Sequence, residues 1–155
     1  LRLYVGREPG ETEAVTAILR EEAAAKLDTP EGYRSFAQRV EGLRDALRAL
    51  LLRLKFEGAS LAAYGAAAKA ATLINTVGIG PELVDFVADR NERKHGRYMP
   101  GRHIPIRPAE HLLEAQPDYT LLLAWNFADE ILEQQDEYRR RGGRFVIPVP
   151  EPTIV

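Results

Sequence analysis

Residues 60–77 read SLAAYGAAAKAATLINTV, a short apolar run followed by a glycine and an alanine-rich stretch. An apolar run of this length indicates a buried strand, and Gly65 marks a tight turn before a helix that continues to about Val77. A strand, a turn and a helix in this order are the first half of a βαβ unit. The stretch therefore predicts an α/β fold, in which helices cover a mostly parallel sheet to give three layers.

The remainder of the chain after Val77 repeats this alternation of short apolar runs and helical stretches. The predicted strands lie at 60–64, 83–88, 103–106, 118–124 and 145–149. The predicted helices after the first lie at 108–115 and 128–141. Pro105 has no N–H to donate to a central ladder, so the strand at 103–106 is predicted at an edge of the sheet.

Two amphipathic helices precede this core, because apolar residues recur at intervals of three and four at 11–26 and again at 32–56. Thr29 can cap the second helix, and Pro30 is tolerated in its first turn. The opening residues, Leu1 to Val5, have the composition of a strand that is entered from upstream.

These elements predict one structural domain in two parts. Residues 1–56 form an N-terminal strand and helical pair that pack on the core, and residues 57–155 form the α/β core. Because the sequence begins at Leu1 without an initiator methionine and opens on residues typical of a strand, we expect it to be a fragment of a larger protein.

The composition excludes several classes of function. With 155 residues, 45% hydrophobic residues, 28% charged residues and a net charge of −2, the chain has the balance of a globular protein. Basic and acidic residues alternate, which speaks against a nucleic-acid partner. No apolar run approaches the roughly 20 residues that span a bilayer, so no membrane partner is expected. The chain has no cysteine, which excludes thiolate catalysis and fits a reducing cytoplasm.

The turn at Gly65 is the first candidate site, because ligands of open α/β sheets lie at the carboxyl ends of the strands. The free N–H groups at the start of the following helix favour an anion, and Lys69 could add a charge. The stretch matches neither G-x-G-x-x-G nor the P-loop pattern, which counts against an independent nucleotide-binding Rossmann protein. The alternative is that Gly65 only makes the turn and Lys69 is solvated; both interpretations stay open.

The end of the second predicted strand is the second candidate site. Asp89 follows Gly65 by about two dozen residues, a spacing at which dinucleotide folds keep an acid for the ribose hydroxyls. The alternative is that Asp89 caps a turn together with Asn91. The polar loop beyond it carries His95, Arg97 and further donors that suit a phosphorylated ligand, unless the loop is simply solvated. No histidine spacing suggests a metal site.

Several spaced motifs together carry a resemblance to a known family. They are Tyr64-Gly65-Ala66-Ala67-Ala68-Lys69, Asp89-Arg90-Asn91, Gly96-Arg97-Tyr98, Trp125-Asn126, Asp129-Glu130-Ile131 and the closing Gly143-Arg144-Phe145-Val146-Ile147-Pro148. In this series the chain resembles the C-terminal domain of the S-adenosylmethionine-dependent C-methyltransferases that act on nucleotide-linked deoxysugars. The resemblance covers nearly the whole chain.

The resemblance implies that residues 57–155 are a Rossmann-like α/β core, with a three-layer, mostly parallel sheet, that binds substrate without carrying the catalytic centre. The family's enzymes have a zinc-binding N-terminal region and a middle domain that holds S-adenosylmethionine and the catalytic base, so no catalytic residue, metal or cofactor is expected in this chain. Its partners would be the nucleotide-sugar substrate and the upstream methyltransferase domain. The residues implied in substrate binding are Tyr64, Gly65, Lys69, Asp89, Asn91, His95 and Arg97.

The chain also departs from the family's pattern next to the Gly65 turn. Ala67 stands where the family has proline, and Ala70 and Ala71 stand where it has glycine and asparagine. These changes remove backbone freedom and a side-chain amide. A noncatalytic structural or dimerisation module is the alternative function, with the helices before residue 57 as its contact surface.

Overall fold

The structure, a computed structural model, describes residues 5–6 and 10–155. Most of the strand predicted at 1–5 lies outside the described residues. The chain divides into two compact units, residues 1–40 and residues 41–155. The packing of the helical pair on the core stays a prediction.

The two N-terminal helices are confirmed, with ends within two residues of the predicted ones. Helix α1 spans Glu13–Ala24 and α2 spans Pro30–Phe56. The Oγ1 atom of Thr29 accepts a hydrogen bond from the N–H of Gly32 at 3.1 Å, so Thr29 caps α2 as predicted. The first helix has no buried residue, and its apolar side chains remain accessible.

The strands of the described residues form one six-stranded sheet in the order β3-β2-β1-β4-β5-β6. They are β1 at Leu61–Tyr64, β2 at Val87–Asp89, β3 at Ile106–Pro108, β4 at Tyr119–Leu122, β5 at Arg144–Ile147 and β6 at Thr153–Ile154. All neighbours pair in parallel except β5 and β6. The predicted α/β, Rossmann-like class is therefore confirmed.

Helices cover both faces of this sheet. They are the last turns of α2, α3 at Ala68–Val77, α4 at His111–Ala115, α5 at Ala128–Gln134 and α6 at Asp136–Arg140. Along β1 the side chains alternate between faces, because Leu61 and Ala63 pack in the cluster with α2 and α3, whereas Ala62 and Tyr64 pack in the cluster with α4, α5 and α6. The core thus has two apolar layers, one on each side of the sheet.

The prediction for the second strand was wrong at its start. The N–H groups of Leu83 and Val84 both bond to the carbonyl oxygen of Gly80, so these residues form a turn, and the strand begins only at Val87. Both leucine and valine are buried in the core nevertheless. An apolar run signals burial, and burial alone does not distinguish a strand from a packed turn.

The strand predicted at 103–106 begins only at Ile106 and ends at Pro108, although its position at an edge of the sheet is confirmed. Residues 96–106 form a hairpin-like loop in which Met99 and Ile104 pair through a 2.8 Å backbone bond. His103 sits at its bend with a φ of 55°. Pro105 belongs to this loop, where it bridges to Tyr98.

Other boundaries near the C-terminus also differ from the prediction, and the strand predicted at 118–124 spans only Tyr119–Leu122. The helix predicted at 128–141 is divided at Gln135, where the backbone turns to a φ of −102° and a ψ of 26°. The helix predicted from Pro108 starts at His111, because Pro108 still belongs to β3. The last predicted strand ends at Ile147, before Pro148, and the short antiparallel β6 was missed.

None of the helices in the described part of the chain is long and apolar enough to cross a membrane.

Candidate functional site

The candidate site lies where the strand order reverses. From β1 the chain moves outward through β2 to β3 and then returns to β4, which pairs with the other side of β1. Tyr64, Asp89 and Leu122 end β1, β2 and β4, and parallel strands bring these ends to one edge of the sheet. A crevice at such a reversal is the usual ligand position in open α/β sheets.

The turn after β1 requires a glycine at its first position. Gly65 has a φ of 97°, and a Cβ atom there would lie 2.9 Å from the Cβ atom of Ala124. Its N–H donates to the carbonyl oxygen of Ala88 at 2.8 Å, which continues the pairing of β1 with β2. The turn therefore passes directly against the residues that follow β4.

Asp89 fastens this turn to the loop after β2. One carboxylate oxygen, Oδ2, accepts from the N–H of Ala66 at 2.6 Å and from Nζ of Lys94 at 3.1 Å. The other, Oδ1, accepts from the N–H of Asn91 at 2.8 Å. Nζ of Lys94 also donates to the carbonyl oxygen of Ala66 at 2.9 Å. The turn-capping contact to Asn91 is thus present, and a contact of Asp89 with a ribose stays a prediction.

The other predicted residues of this loop support its backbone. Oδ1 of Asn91 accepts from the N–H of Arg93 and caps a short 3₁₀-helix at Glu92–Lys94. Nε2 of His95 lies 2.7 Å from the carbonyl oxygen of Asp89, and since a carbonyl only accepts, Nε2 carries the proton. Arg97 is exposed on the hairpin-like loop that follows.

Lys69 lies in the first turn of α3, on the other side of the Gly65 turn. Its Nζ atom is 4.4 Å from the ring centre of Trp125 and 5.9 Å from that of Phe127. Such distances allow a cation–π attraction, which holds the ammonium group beside the carboxyl end of β4. Ala67, the N-cap residue of α3, provides no side-chain cap.

A cleft of about 250 Å³ opens at this edge of the sheet. It is lined by Tyr64, Gly65, Asp89, Arg90, Phe127, Glu130, Ile131 and Gln134. Of the predicted residues, the structure brings Tyr64, Gly65 and Asp89 to the cleft, and Lys69 lies next to it through Phe127. Among the described residues, Asn91, His95 and Arg97 do not line it.

Sequence analysis missed the contribution of α5 to this cleft. Phe127, Glu130, Ile131 and Gln134 recur at intervals of three and four, the spacing of one helix face. A search for polar residues on that helix face could have found Glu130 and Gln134. Sequence analysis named Arg90 only as part of the motif Asp89-Arg90-Asn91.

Tyr64 forms part of the base of the cleft and is only 3% exposed. Burial raises the pKa of its hydroxyl, and the positive charge of Arg90 offsets part of this effect. The hydroxyl accepts a long hydrogen bond, 3.4 Å, from Nε2 of Gln135. Tyr64 is therefore a protonated donor at neutral pH.

The alanines that depart from the family's pattern do not line the cleft. Ala70 is fully buried, and Ala67 and Ala71 are half-buried against the same apolar cluster. The methyl group of Ala70 thus fills the space between α3 and the sheet. Compared with the glycine of the family's pattern, Ala70 therefore affects the packing of α3 on the sheet more directly than it affects the cleft.

Two comparisons with known proteins agree with this architecture. The model of the family described as "C-methyltransferase C-terminal domain" matches residues 1–150. The chain is also 38% identical, over 142 residues, to the C-methyltransferase NovU of Streptomyces niveus. This match covers 92% of the chain and 34% of NovU, so the chain spans about a third of that relative's length. The chain belongs to the C-methyltransferase C-terminal domain family.

Proposed function

We propose that this domain binds the nucleotide-linked keto-deoxysugar on which an S-adenosylmethionine-dependent C-methyltransferase acts. The observation that supports this function most strongly is the cleft at the reversal of the strand order, next to an uncapped helix start. Ligand sites in this fold class occur at that position.

The phosphate groups of such a substrate would lie over the first turn of α3. Because Ala67 offers no side-chain cap, the N–H groups of Ala68 and Lys69 have no acceptor among the described residues. The helix dipole and the Lys69 ammonium group add positive potential at the same point. A diphosphate can accept hydrogen bonds from both N–H groups and from the ammonium group.

The ion pair of Asp89 and Lys94 would prepare this position in advance. It holds the Gly65 turn at both the N–H and the carbonyl oxygen of Ala66, so little ordering remains when a ligand binds. In this proposal Asn91 and His95 act through the backbone of the loop, and Arg97 meets the substrate from the exposed hairpin-like loop.

Methyl transfer itself would take place against a methyltransferase domain of the same polypeptide. S-adenosylmethionine would be held there, and this chain would contribute the orientation of the sugar. The keto-sugar, extended from the diphosphate, would then point away from the sheet toward that domain.

The direct test is calorimetric titration of a dTDP-linked keto-sugar into the chain and into Lys69→Met. Loss of one charged donor is expected to weaken binding by about tenfold. The matched control is Lys55→Met, because Lys55 pairs with Asp85 at 3.6 Å at the amino edge of the sheet. Equal affinities for all three proteins, or no heat of binding in a folded chain, would contradict the proposal.

A second candidate, a dimerisation module, is favoured by the apolar residues of the first unit. Val15, Ile18, Leu19, Tyr33 and Phe36 are each between 42% and 67% exposed. Apolar side chains at helical spacing are typical of a contact face. Analytical ultracentrifugation at increasing concentration tests this function, and a strictly monomeric chain would exclude it.

A further inference from the structure

Two arginine side chains meet at the C-terminal end of α3. This helix is capped by Gly78, whose φ of 77° is the left-handed conformation typical of a helix end. Nη1 of Arg48 donates to the carbonyl oxygens of Val77 at 3.2 Å and of Gly78 at 2.6 Å. A Cβ atom at Gly78 would lie 3.0 Å from this Nη1 atom and 3.5 Å from Nη2 of Arg102. Both guanidinium groups therefore border the space that a side chain at position 78 would fill.

The two arginines come from different elements, and the packing of the core holds both elements in place. Arg48 belongs to α2, where it is half-buried and directly follows the fully buried Leu47. Arg102 is exposed next to the bend of the hairpin-like loop. This loop is tied to α3, because Nδ2 of Asn75 donates to the carbonyl oxygen of Pro100 at 3.0 Å. The two guanidinium groups are therefore neighbours as a consequence of the fold.

The end of the helix balances only part of their charge. A helix C-terminus carries the equivalent of about half a negative charge, whereas the two guanidinium groups carry two positive charges. Neither group takes part in an ion pair within the described part of the chain. Glu82, the first carboxylate after the helix, accepts from the N–H of Gly80 instead. An excess of positive charge thus remains at the end of α3.

The donors at this point suit a phosphate group. Arg48 uses only Nη1 for the carbonyl oxygens, so its Nε and Nη2 N–H groups remain available. A guanidinium binds two oxygens of a phosphate side by side, and a phosphate has enough oxygens for two such groups. It also carries a charge of about −1.5 to −2 at neutral pH, which balances the excess. A carboxylate has two oxygens and one charge, so it balances the two arginines less well.

We propose that the C-terminal end of α3 binds a phosphate group, free or as a phosphomonoester, between Arg48 and Arg102. The proposed substrate site lies at the other end of the same helix, near Lys69. Since α3 has 10 residues, the two ends are about 15 Å apart. The inference is therefore independent of the proposed function, and each can fail without the other.

The test follows the Nε–H signals of the arginines by NMR while inorganic phosphate replaces chloride at constant ionic strength. The signals of Arg48 and Arg102 are expected to shift until they saturate. Arg102→Gln, which removes one charged donor from an exposed position, should weaken binding by about tenfold or more. The matched control is Arg107→Gln, because Arg107 is also exposed and outside the ion pairs of the described residues. It should leave the affinity for phosphate unchanged.

Two other anions define the ligand. Acetate should bind about tenfold more weakly than phosphate or worse, and equal binding would overturn the assignment to phosphate. Glycerol phosphate distinguishes the two sources, since an affinity equal to that of inorganic phosphate indicates a phosphomonoester and a much weaker one indicates free phosphate.

Three results would overturn the site itself. The first is a shift that grows with phosphate concentration without saturating, and the second is an unchanged affinity in Arg102→Gln. The third is loss of phosphate binding in Lys69→Met but not in Arg102→Gln, which would assign the phosphate to the proposed substrate site.

Discussion

The turn at Gly65 allows two costs of a substitution to be measured separately. Gly65→Ala would introduce a side chain at a φ of 97° and would bring its Cβ atom to 2.9 Å from the Cβ atom of Ala124 and 3.3 Å from its backbone nitrogen. Gly142 has the same φ of 97°, but a Cβ atom there would meet nothing within 4 Å. Gly142→Ala therefore reports the backbone cost alone.

The expected magnitudes follow from this geometry. A non-glycine residue in the left-handed region costs about 1–2 kcal/mol, which is the expected loss of unfolding free energy in Gly142→Ala. Forcing an extra methyl group into a packed site costs a further 1–3 kcal/mol or so, which brings Gly65→Ala to about 2–5 kcal/mol. Ala124→Gly in the Gly65→Ala background removes the closest contact, so it should recover about 1 kcal/mol or more.

Urea unfolding followed by tryptophan fluorescence measures these differences. The single tryptophan, Trp125, lies directly after Ala124, so its emission reports on the same edge of the sheet. The four proteins and the single variant Ala124→Gly form a double-mutant cycle with a backbone control. The steric argument is refuted if Gly65→Ala costs no more than Gly142→Ala, or if the effects at 65 and 124 simply add.

Two further predictions concern hydrogen-bonded groups elsewhere in residues 41–155. The Tyr138 hydroxyl is fully buried, accepts from Thr120 at 2.9 Å and donates to the carbonyl oxygen of Pro117 at 2.8 Å, so Tyr138→Phe should cost about 1–3 kcal/mol in urea unfolding. In the Tyr138→Phe background, Thr120→Val should lower the free energy of unfolding by less than it does in the unaltered chain. Strictly additive effects would contradict this coupling. Hydrogen bonds from Ser60 lower the pKa of Asp118 below its ordinary value of 3.8, which stabilises the folded chain above that pH. Thermal melts should therefore show that Ser60→Ala is less stable than the unaltered chain at pH 6. This difference in stability should shrink as the pH falls through the folded-state pKa of Asp118. A difference that stays constant with pH would show that the ionised Asp118 carboxylate is not its cause.

The strand, turn and helix at 60–77 could be predicted because local signals suffice there. The apolar run, the glycine and the alanine-rich helix each favour the structure that tertiary packing also favours. In the hairpin-like loop at 96–106, local sequence signals do not indicate the structure that tertiary packing produces. Its form depends on the burial of Met99 and Ile104 and on pairing across the bend at His103, and neither is visible in the spacing of residues.

Sequence analysis placed Tyr64, Gly65 and Asp89 at one edge of the sheet, where they line a cleft in the structure, but it could not assign their contacts. The spacing of Gly65 and Asp89 follows from the length of a βαβ unit, so any fold of this class would show it. Whether the carboxylate faces a ligand or the chain depends on the N–H of Ala66, 23 positions away in the sequence. Phe127 was missed because it belongs to a 3₁₀ turn at Trp125–Phe127, which no local pattern announced.

The engagement of Asp89 has a consequence for how this domain would bind a nucleotide. Three donors already occupy its carboxylate, and its side chain is 10% exposed beside the partly buried Lys94. Breaking such an ion pair leaves a buried charge without a partner, which costs more than a single contact with a ribose returns. Ligand contacts should therefore come from groups around the cleft that keep unused hydrogen-bonding capacity, such as Lys69 and Arg90. In this arrangement Asp89 supplies the rigid geometry of the two loops and leaves ligand recognition to other groups.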